Sequence, residues 1–525
     1  MTQLVDRVLG RTRRAIAQVT ETGLPAETWE RRMRTLVTTL EEDAGDAPRP
    51  VQVAGVTVED RALALLADAP DAVVWLALAV LSARLPEPGE VVAARRAARR
   101  EGPGAVLAAA RSAGTDASAL REVRVLRGSD LVDMGDLVLY PLGTGIQRVA
   151  RHVGRAWRDT HDATAVAWTA ELDALRLLDD AERDHALAGT TATPTVSVLE
   201  ARADARSTVV VPWGGTYLLP ELAIQPRRCS ALNALARFAP TRCGVIGFDL
   251  VPVTSAETSA EGFAAVFALN LAAVAHFDTV APISRAAATE YAGWRRMLGG
   301  TGLTGPAIEE VPLPAHAPAA TPDDLAEARD RFEVGGLPLV LCVGSHEPRK
   351  NHLAVLHAAE LLWRRGLQFS LTFVGGNSWN GAAFTRRLEE LAASGRPVES
   401  VSRLDDRLLW AAYRVARCTV FPSLNEGYGL PVAESVSAGT PALASDFGSM
   451  REIAAHGGVL LVDPRDDHAI ADGLARLLVD DALHARLAAE AAAVPETGWD
   501  DYARRVWSVL HGAGDPGAGS PTSHE

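Results

Sequence analysis

Apolar residues recur along the chain with two different periods, and the change from one to the other divides it. Over the first 120 positions they fall three and four apart, in the runs Arg31–Leu40, Arg61–Leu85 and Val91–Ala113, punctuated by DAGDAPRP, PEPGE and EGPG. That spacing predicts helices, so residues 1–120 read as a helical accessory region that packs internally or offers a surface to a protein partner. From about position 121 short β-rich runs alternate with helical stretches. Candidate strands are Leu131–Met134, Ala163–Trp168, Thr208–Pro212, Cys243–Phe248 and Thr279–Ile283. Strand and helix in alternation predict a mainly parallel sheet with helices on both faces, here over 121–318.

The stretch VPLPAHAPAATP (311–322) interrupts this rhythm and reads as an interdomain linker. A second α/β domain then spans 319–495. Leu339–Val343 predicts a strand, Asn351–Arg365 a helix closed by Gly366, and Phe369–Val374, Cys418–Pro422, Pro441–Ala444 and Val459–Val462 further strands. A last helix, Trp499–Leu510, falls within 496–512, and the low-complexity segment 513–525 reads as a disordered tail. Two α/β domains in tandem put a ligand in the cleft between them, beyond the carboxyl ends of the strands.

Composition narrows the function classes. Hydrophobic residues make up 48% and charged residues 22% of the 525, the profile of a soluble globular chain. The net charge of −14 leaves no electrostatic footprint for nucleic acid. The apolar run Ala72–Ala83 is shorter than the roughly 20 residues a membrane-crossing helix needs, and the N-terminus carries charge without the apolar stretch of a signal peptide. A cytoplasmic protein is therefore expected. The four cysteines (Cys229, Cys243, Cys342, Cys418) form no C-x-x-C pair and read as buried thiols. No D-x-D and no H-E-x-x-H occurs, so no metal site is expected. Gly300-x-Gly302-x-x-Gly305 spells a dinucleotide fingerprint, but it follows the helical stretch Tyr291–Leu298 rather than a strand, which argues against it.

Two strand–turn–helix segments carry chemistry. In NEGYGLPVAES (425–435) the strand Cys418–Pro422 ends, two glycines permit a tight turn, and Pro431 opens a helix at the position proline favours. The backbone amides of Gly427, Tyr428, Gly429 and Leu430 then sit at a helix N-terminus, a ready anion site. Glu426 in the loop and Glu434 one turn into the helix can reach the same pocket at different depths, one near a sugar and the other near a ribose. In VGSHEPRKNH (343–352) Arg349 and Lys350 project beside another first helical turn. Lys350 is the only lysine in the chain; every other basic side chain among the 52 is arginine. Fixed cations there would stabilise the charge developing on a departing diphosphate. The alternative is a surface Arg–Lys pair at a helix start.

Taken together, EPRKN (347–351), FVGG (373–376), Glu426…Glu434 as E-x7-E, AGTPALAS (438–445) and VDP (462–464) resemble the C-terminal domain of the retaining GT-B glycosyltransferases of family 4. The resemblance runs from Val343 through Asp463, with the motifs in the expected order. It implies a GT-B fold: two Rossmann-like domains facing across a cleft, here with an N-terminal helical extension. It implies that Lys350 and Arg349 hold the donor diphosphate. It also implies that Glu426 and the backbone of Gly427–Leu430 contact the transferred sugar, with the strand-end glycines Gly344 and Gly375 lining the donor site, and that Glu434 holds the ribose. GTGIQRV (143–149) resembles a loop in a subset of these enzymes, with Gly145 near the donor and Thr144 on the acceptor side. FDLVP (248–252) resembles an acidic acceptor-side segment, with Asp249 in that role and Phe248 where many members carry histidine. Ser345 stands where an arginine often follows the glycine, and Ser402-Arg403-Leu404 replaces a glycine-containing turn near the base. The final helix is expected to cross back onto the first domain.

The implied activity is metal-independent transfer of a hexose, of mannose type from the EPRKN pattern, with retention of configuration. The nucleotide diphosphate sugar is a substrate and no cofactor is called for. The acceptor would be a hydroxyl of a glycan or a lipid-linked glycan, the latter bringing peripheral contact with the inner face of a membrane. A phosphorylase or nucleotide-sugar epimerase of the same architecture, or a catalytically silent sugar-nucleotide-binding scaffold, are the rival readings.

Overall fold

Proline, glycine and the buried apolar faces decide where the N-terminal helices begin and end. The computed structural model describes residues 25–43, 45, 56–139, 144–188, 208–376, 378–402 and 404–512. Among the described residues six helices come first: Ala26–Asp43, Val58–Leu66, Asp71–Ser82, Pro88–Glu101, Gly104–Ala113 and Asp116–Ala119. The single helix expected over Arg61–Leu85 is thus two. Asp68 turns the backbone left-handed (φ 54°) and Pro70 caps the second helix, which ends at Ala83, also left-handed. Helix Asp71–Ser82 is apolar all round and is buried from Val74 to Ser82. These helices share one continuous core with the first sheet, Trp75 and Leu78 joining Val210, Trp213, Leu232 and Phe267. Buried Arg32 ties the region together by donating to the carbonyls of Leu81, Ser118 and Arg121 at 3.0, 2.5 and 2.8 Å.

Among the described residues the first sheet has nine strands: β1 (Glu122–Arg127), β2 (Asp130–Asp133), β3 (Ala163–Trp168), β4 (Leu175–Leu177), β5 (Thr208–Trp213), β6 (Thr216–Leu219), β7 (Arg242–Gly247), β8 (Thr279–Pro282) and β9 (Ala307–Ile308). Their order is β1-β5-β4-β3-β2-β6-β7-β8-β9, and only β4 runs antiparallel to its neighbours. The sequence expectation contains five of these strands and misses β1, β4, β6 and β9, three of which are four residues or shorter. The second sheet is wholly parallel: β10 (Leu339–Val343), β11 (Ser370–Val374), β12 (Val398–Val401), β13 (Cys418–Phe421), β14 (Ala442–Ser445) and β15 (Val459–Val462), ordered β12-β11-β10-β13-β14-β15. The order reverses between β10 and β13, and a doubly wound sheet binds ligands at such a switch point.

No strand or helix spans 309–321, and helix Pro322–Phe332 opens the second unit. The last helix, Trp499–His511, packs on the first unit: the Trp157 indole donates to Ala503 O at 2.9 Å, and Trp499 stacks on His152. All four cysteines are buried and unbridged. Among the described residues no helix is long and apolar enough to cross a membrane. The tail at 513–525, Gly143 and Arg403 lie outside the described residues.

Candidate functional site

The turn after β10 is built by its own residues. Pro348–Lys350 forms a short 3-10 turn, and Asn351 follows with φ 60°, a conformation asparagine tolerates better than most residues. The Asn351 amide donates to Pro422 O at 3.1 Å and Pro464 O at 2.7 Å, pinning the turn to the end of β13 and to the 462–464 segment. Gly375 is needed nearby because a Cβ there would lie 2.0 Å from Gly344 O. The ends of β10 and β11 approach so closely that only glycine fits.

This scaffold aims two cations at one carboxylate. Lys350 Nζ lies 2.7 Å from Glu426 Oε1, and Arg349 Nη1 lies 2.6 Å from Glu426 Oε2. Glu347 stands behind them, 3.2 Å from Arg349 Nη2. Ser423 donates to Glu426 Oε1 at 2.6 Å, and Ser345 donates to Glu347 at 3.1 Å. Lys350 is buried, its ammonium 5.1 Å from the Phe421 ring centre. Burial pushes the Glu426 carboxyl up, but Arg349, Lys350 and the hydrogen bonds from Lys350 and Ser423 outweigh it and hold the group at about 2. The result is a preorganised cluster of two cations and two carboxylates at the switch point.

The helix after β13 spans Leu430–Ser437, with Pro431 in its first turn and Gly429 left-handed at φ 102° before it. A Cβ on Gly429 would meet Met450 Cε at 2.0 Å. Among the described residues, the amides of Gly427 to Leu430 donate to no protein acceptor. Tyr428 donates instead through its hydroxyl, to Leu313 O at 2.9 Å. Gly427 presses against the first unit: a Cβ there would fall 2.6 Å from Phe248 O and 2.9 Å from Asp249 Oδ2, and Ser284 donates to its carbonyl at 2.5 Å. Asp249 therefore faces the Glu426–Leu430 loop directly. Burial raises its carboxyl to about 6; Arg349 opposes this, while Glu290 and Glu426 add to it.

Glu434, the fifth residue of its helix, sits in a different corner. Its Oε2 accepts from the Tyr413 hydroxyl at 2.9 Å, and its Oε1 pairs with Arg148 of the first unit. Burial raises its carboxyl, against the pull of Arg148 and Tyr413. Helix Gly145–Thr160, capped by Thr144 through Gln147 N at 3.3 Å, delivers Arg148 across the cleft. The guanidinium lies 5.8 Å from the Trp410 ring centre. Gly145 itself faces Leu430, whose Cδ1 a Cβ would meet at 3.5 Å. Thr144 is exposed at the same rim.

The structure thus gathers Arg349, Lys350 and Glu426, sets Gly427 against Asp249, and keeps Glu434 apart with partners of its own. Arg148, Tyr413 and Ser423 join the site without any motif quoted above assigning them a role. Arg148 stands inside the quoted GTGIQRV segment, where a cation in the first helical turn was the available signal. Among the described residues no group of three His, Cys, Asp or Glu side chains is arranged to hold a metal ion.

Residues 325–494 match the family model described as Glycosyl transferases group 1. Over 247 residues the chain is 28% identical to the serotype-specific mannosyltransferase WbdA of Escherichia coli, covering 45% of this chain and 29% of that protein. Over 250 residues it is 33% identical to the D-inositol 3-phosphate glycosyltransferase of Acidothermus cellulolyticus, covering 45% of this chain and 55% of that protein. The matches therefore span between under a third and about half the length of these curated relatives. Among solved structures, sucrose-phosphate synthase from Thermosynechococcus elongatus superposes with a TM-score of 0.52 at 19% identity, covering 75% of this chain and 99% of that one. Anabaena Alr3699/HepE, solved with UDP and glucose, gives 0.52 at 14% identity, covering 73% and 99%. At these identities the likeness is one of fold: the GT-B arrangement of two facing Rossmann-like units, extended here by N-terminal helices.

Proposed function

We propose that this chain, whose residues 325–494 match glycosyl transferases group 1, moves a hexose from a nucleotide diphosphate sugar to a hydroxyl of a glycan or lipid-linked acceptor. Transfer proceeds with retention of configuration and without a metal ion. The observation that carries this reading is the Arg349–Glu426–Lys350 cluster at the β10/β13 switch point, beside the amides that open helix Leu430–Ser437. Two cations and a helix N-terminus are what a leaving diphosphate needs when no divalent ion shares the charge.

In this reading Lys350 and Arg349 take the diphosphate, and Glu426 with the Gly427–Leu430 backbone orients the sugar hydroxyls. Gly344 and Gly375 let the strand ends approach the donor, and Glu434 receives the ribose. Gly145 lies beside the donor, against Leu430, and Asp249 and Thr144 line the acceptor side. The leaving diphosphate oxygen takes the acceptor's proton, so the protein supplies position and charge rather than a dedicated base. A mannose donor is supported by the EPRKN turn and by the mannosyltransferases among the relatives.

A thermal-shift panel of UDP-, GDP-, ADP- and TDP-sugars tests the donor site. At least one is expected to stabilise the protein by mass action; no shift with any of them ends the reading. Turnover of the donor in the absence of any acceptor would replace transfer with epimerisation.

A further inference from the structure

Glu434 is only 7% exposed, and both its oxygens already hold protein donors, Tyr413 on one and Arg148 on the other. A ribose diol grips a carboxylate through both oxygens at once and needs an open approach to each. Each oxygen keeps a second lone pair, but at 7% exposure the carboxylate offers a diol no open face until one of the two side chains covering it moves. Tyr413 is fully buried on helix Asp406–Val415, inside the same unit as Glu434. Arg148 comes from the opposite unit on a flexible stem, and its side chain is 33% exposed. Its bed is nonetheless a made one. Helix Asp406–Val415 presents Asp406, Trp410 and Tyr413 at positions that share a face, so the guanidinium meets Glu434, the Trp410 ring and the attraction of Asp406 together.

We propose that Arg148 is a latch that competes with the donor's ribose for Glu434. The proposal rests on the donor-site reading above. While the latch is shut, Arg148 pins the first unit to the nucleoside corner of the second. An entering nucleotide takes the Glu434 oxygen that Arg148 held, and the freed guanidinium turns out of the corner. The apparent affinity for nucleotide is then lowered by the fraction of time the latch is open. A residue that grips the donor would have the opposite effect, so the sign of the change on removing Arg148 separates the two roles.

Isothermal titration calorimetry of the full chain with UDP, GDP, ADP and TDP reads that sign. Arg148→Met is expected to bind its preferred nucleotide several-fold more tightly than the wild type, and Arg148→Lys to fall between them. Raising the salt should narrow the gap, because it weakens the wild-type ion pair. Glu434→Gln should bind more weakly than either. Equal or weaker binding by Arg148→Met overturns the latch while leaving the donor site standing. Silence from both wild type and Arg148→Met with all four nucleotides overturns the donor-site reading, and the latch with it. Circular-dichroism melts check the fold, with Arg148→Gln as the second variant. If both substitutions unfold the protein, Arg148 is structural and the latch is refuted.

Discussion

Glu426 and Glu434 stand eight positions apart on one loop-and-helix segment, yet they occupy two differently built corners of the cleft. Glu426 finds both its cations within its own unit, from a turn held by Asn351 to the end of the neighbouring strand. Its corner is complete whether or not the cleft is closed. Glu434 has one partner at home, Tyr413, and one across the cleft, Arg148, 286 positions away in sequence. A corner assembled within one unit is preorganised, whereas a corner shared between units registers how they sit. Under the proposed function, charge stabilisation belongs to the first and the grip on the ribose to the second.

The comparison breaks first at Lys350. Lys350→Arg keeps the charge but replaces a compact ammonium with a planar fork beside Arg349 and Phe421. It should lose roughly 10²–10³-fold in kcat, the usual cost of one preorganised donor, with an unchanged circular-dichroism melt. Near-normal turnover would mean the cation corner is not where charge is stabilised. Glu434→Gln comes next. Losing a charged acceptor costs about 1.5–3 kcal/mol, and the loss should fall on donor KM rather than kcat. A kcat effect as large as that of Lys350→Arg would erase the distinction between the corners.

Gly427→Ala acts on the seam between the units. Its Cβ would fall 2.6 Å from Phe248 O, so the units must part or the loop must shift. A stability loss of about 1–3 kcal/mol is expected in urea melts, the usual price of overpacking, with a rise in donor KM. An unchanged melt would show the seam to be soft.

The smallest effect is a sharpening one, read in pH. Asp249 and Glu426 are neighbours whose carboxyls move in opposite directions. The folded Asp249 keeps its proton to about 6, above its ordinary 3.8, so between those values the folded state binds more protons than the unfolded and stability falls as pH rises. Glu426, held at about 2 against an ordinary 4.5, contributes stability that is present above pH 4.5 and lost as pH falls toward 2. Asp249→Asn should therefore gain stability relative to wild type on going from pH 4 to 6, in urea melts at both values. A constant difference would remove Asp249 from the electrostatics of the cleft.

What the sequence discloses follows how locally each feature is encoded. The EPRK turn, the glycines that let strand ends meet, and the Glu426…Glu434 spacing each lie within one strand–turn–helix segment, so their residue types carry the chemistry without knowledge of the fold. The partners of Glu434 do not. Tyr413 reads as one more aromatic on an amphipathic helix, and Arg148 reads as one arginine among 51; only the docked units bring them together. Strands β3, β5 and β7 carry their apolar pattern openly, whereas β1, EVRVLR at the sheet edge, is interrupted by charges, and β4, with three residues, is too short to display a period; its antiparallel direction follows from the hairpin-like pairing with β3. The N-terminal helices are legible as helices. That their core is continuous with the first sheet is not, since a buried face does not name what buries it.

The helix Trp499–His511 places Val506, Val509 and Leu510 in the same core as Val132, Leu218 and Ile246, and a Cβ on Gly244 would come within 3.0 Å of Leu510 Cβ. Chains made on the ribosome ordinarily finish their domains in order, N-terminal first. Here the first unit's interior stays incomplete until position 510 has been synthesised, so a chain truncated after 495 would leave Val132, Leu218 and Ile246 without that cover.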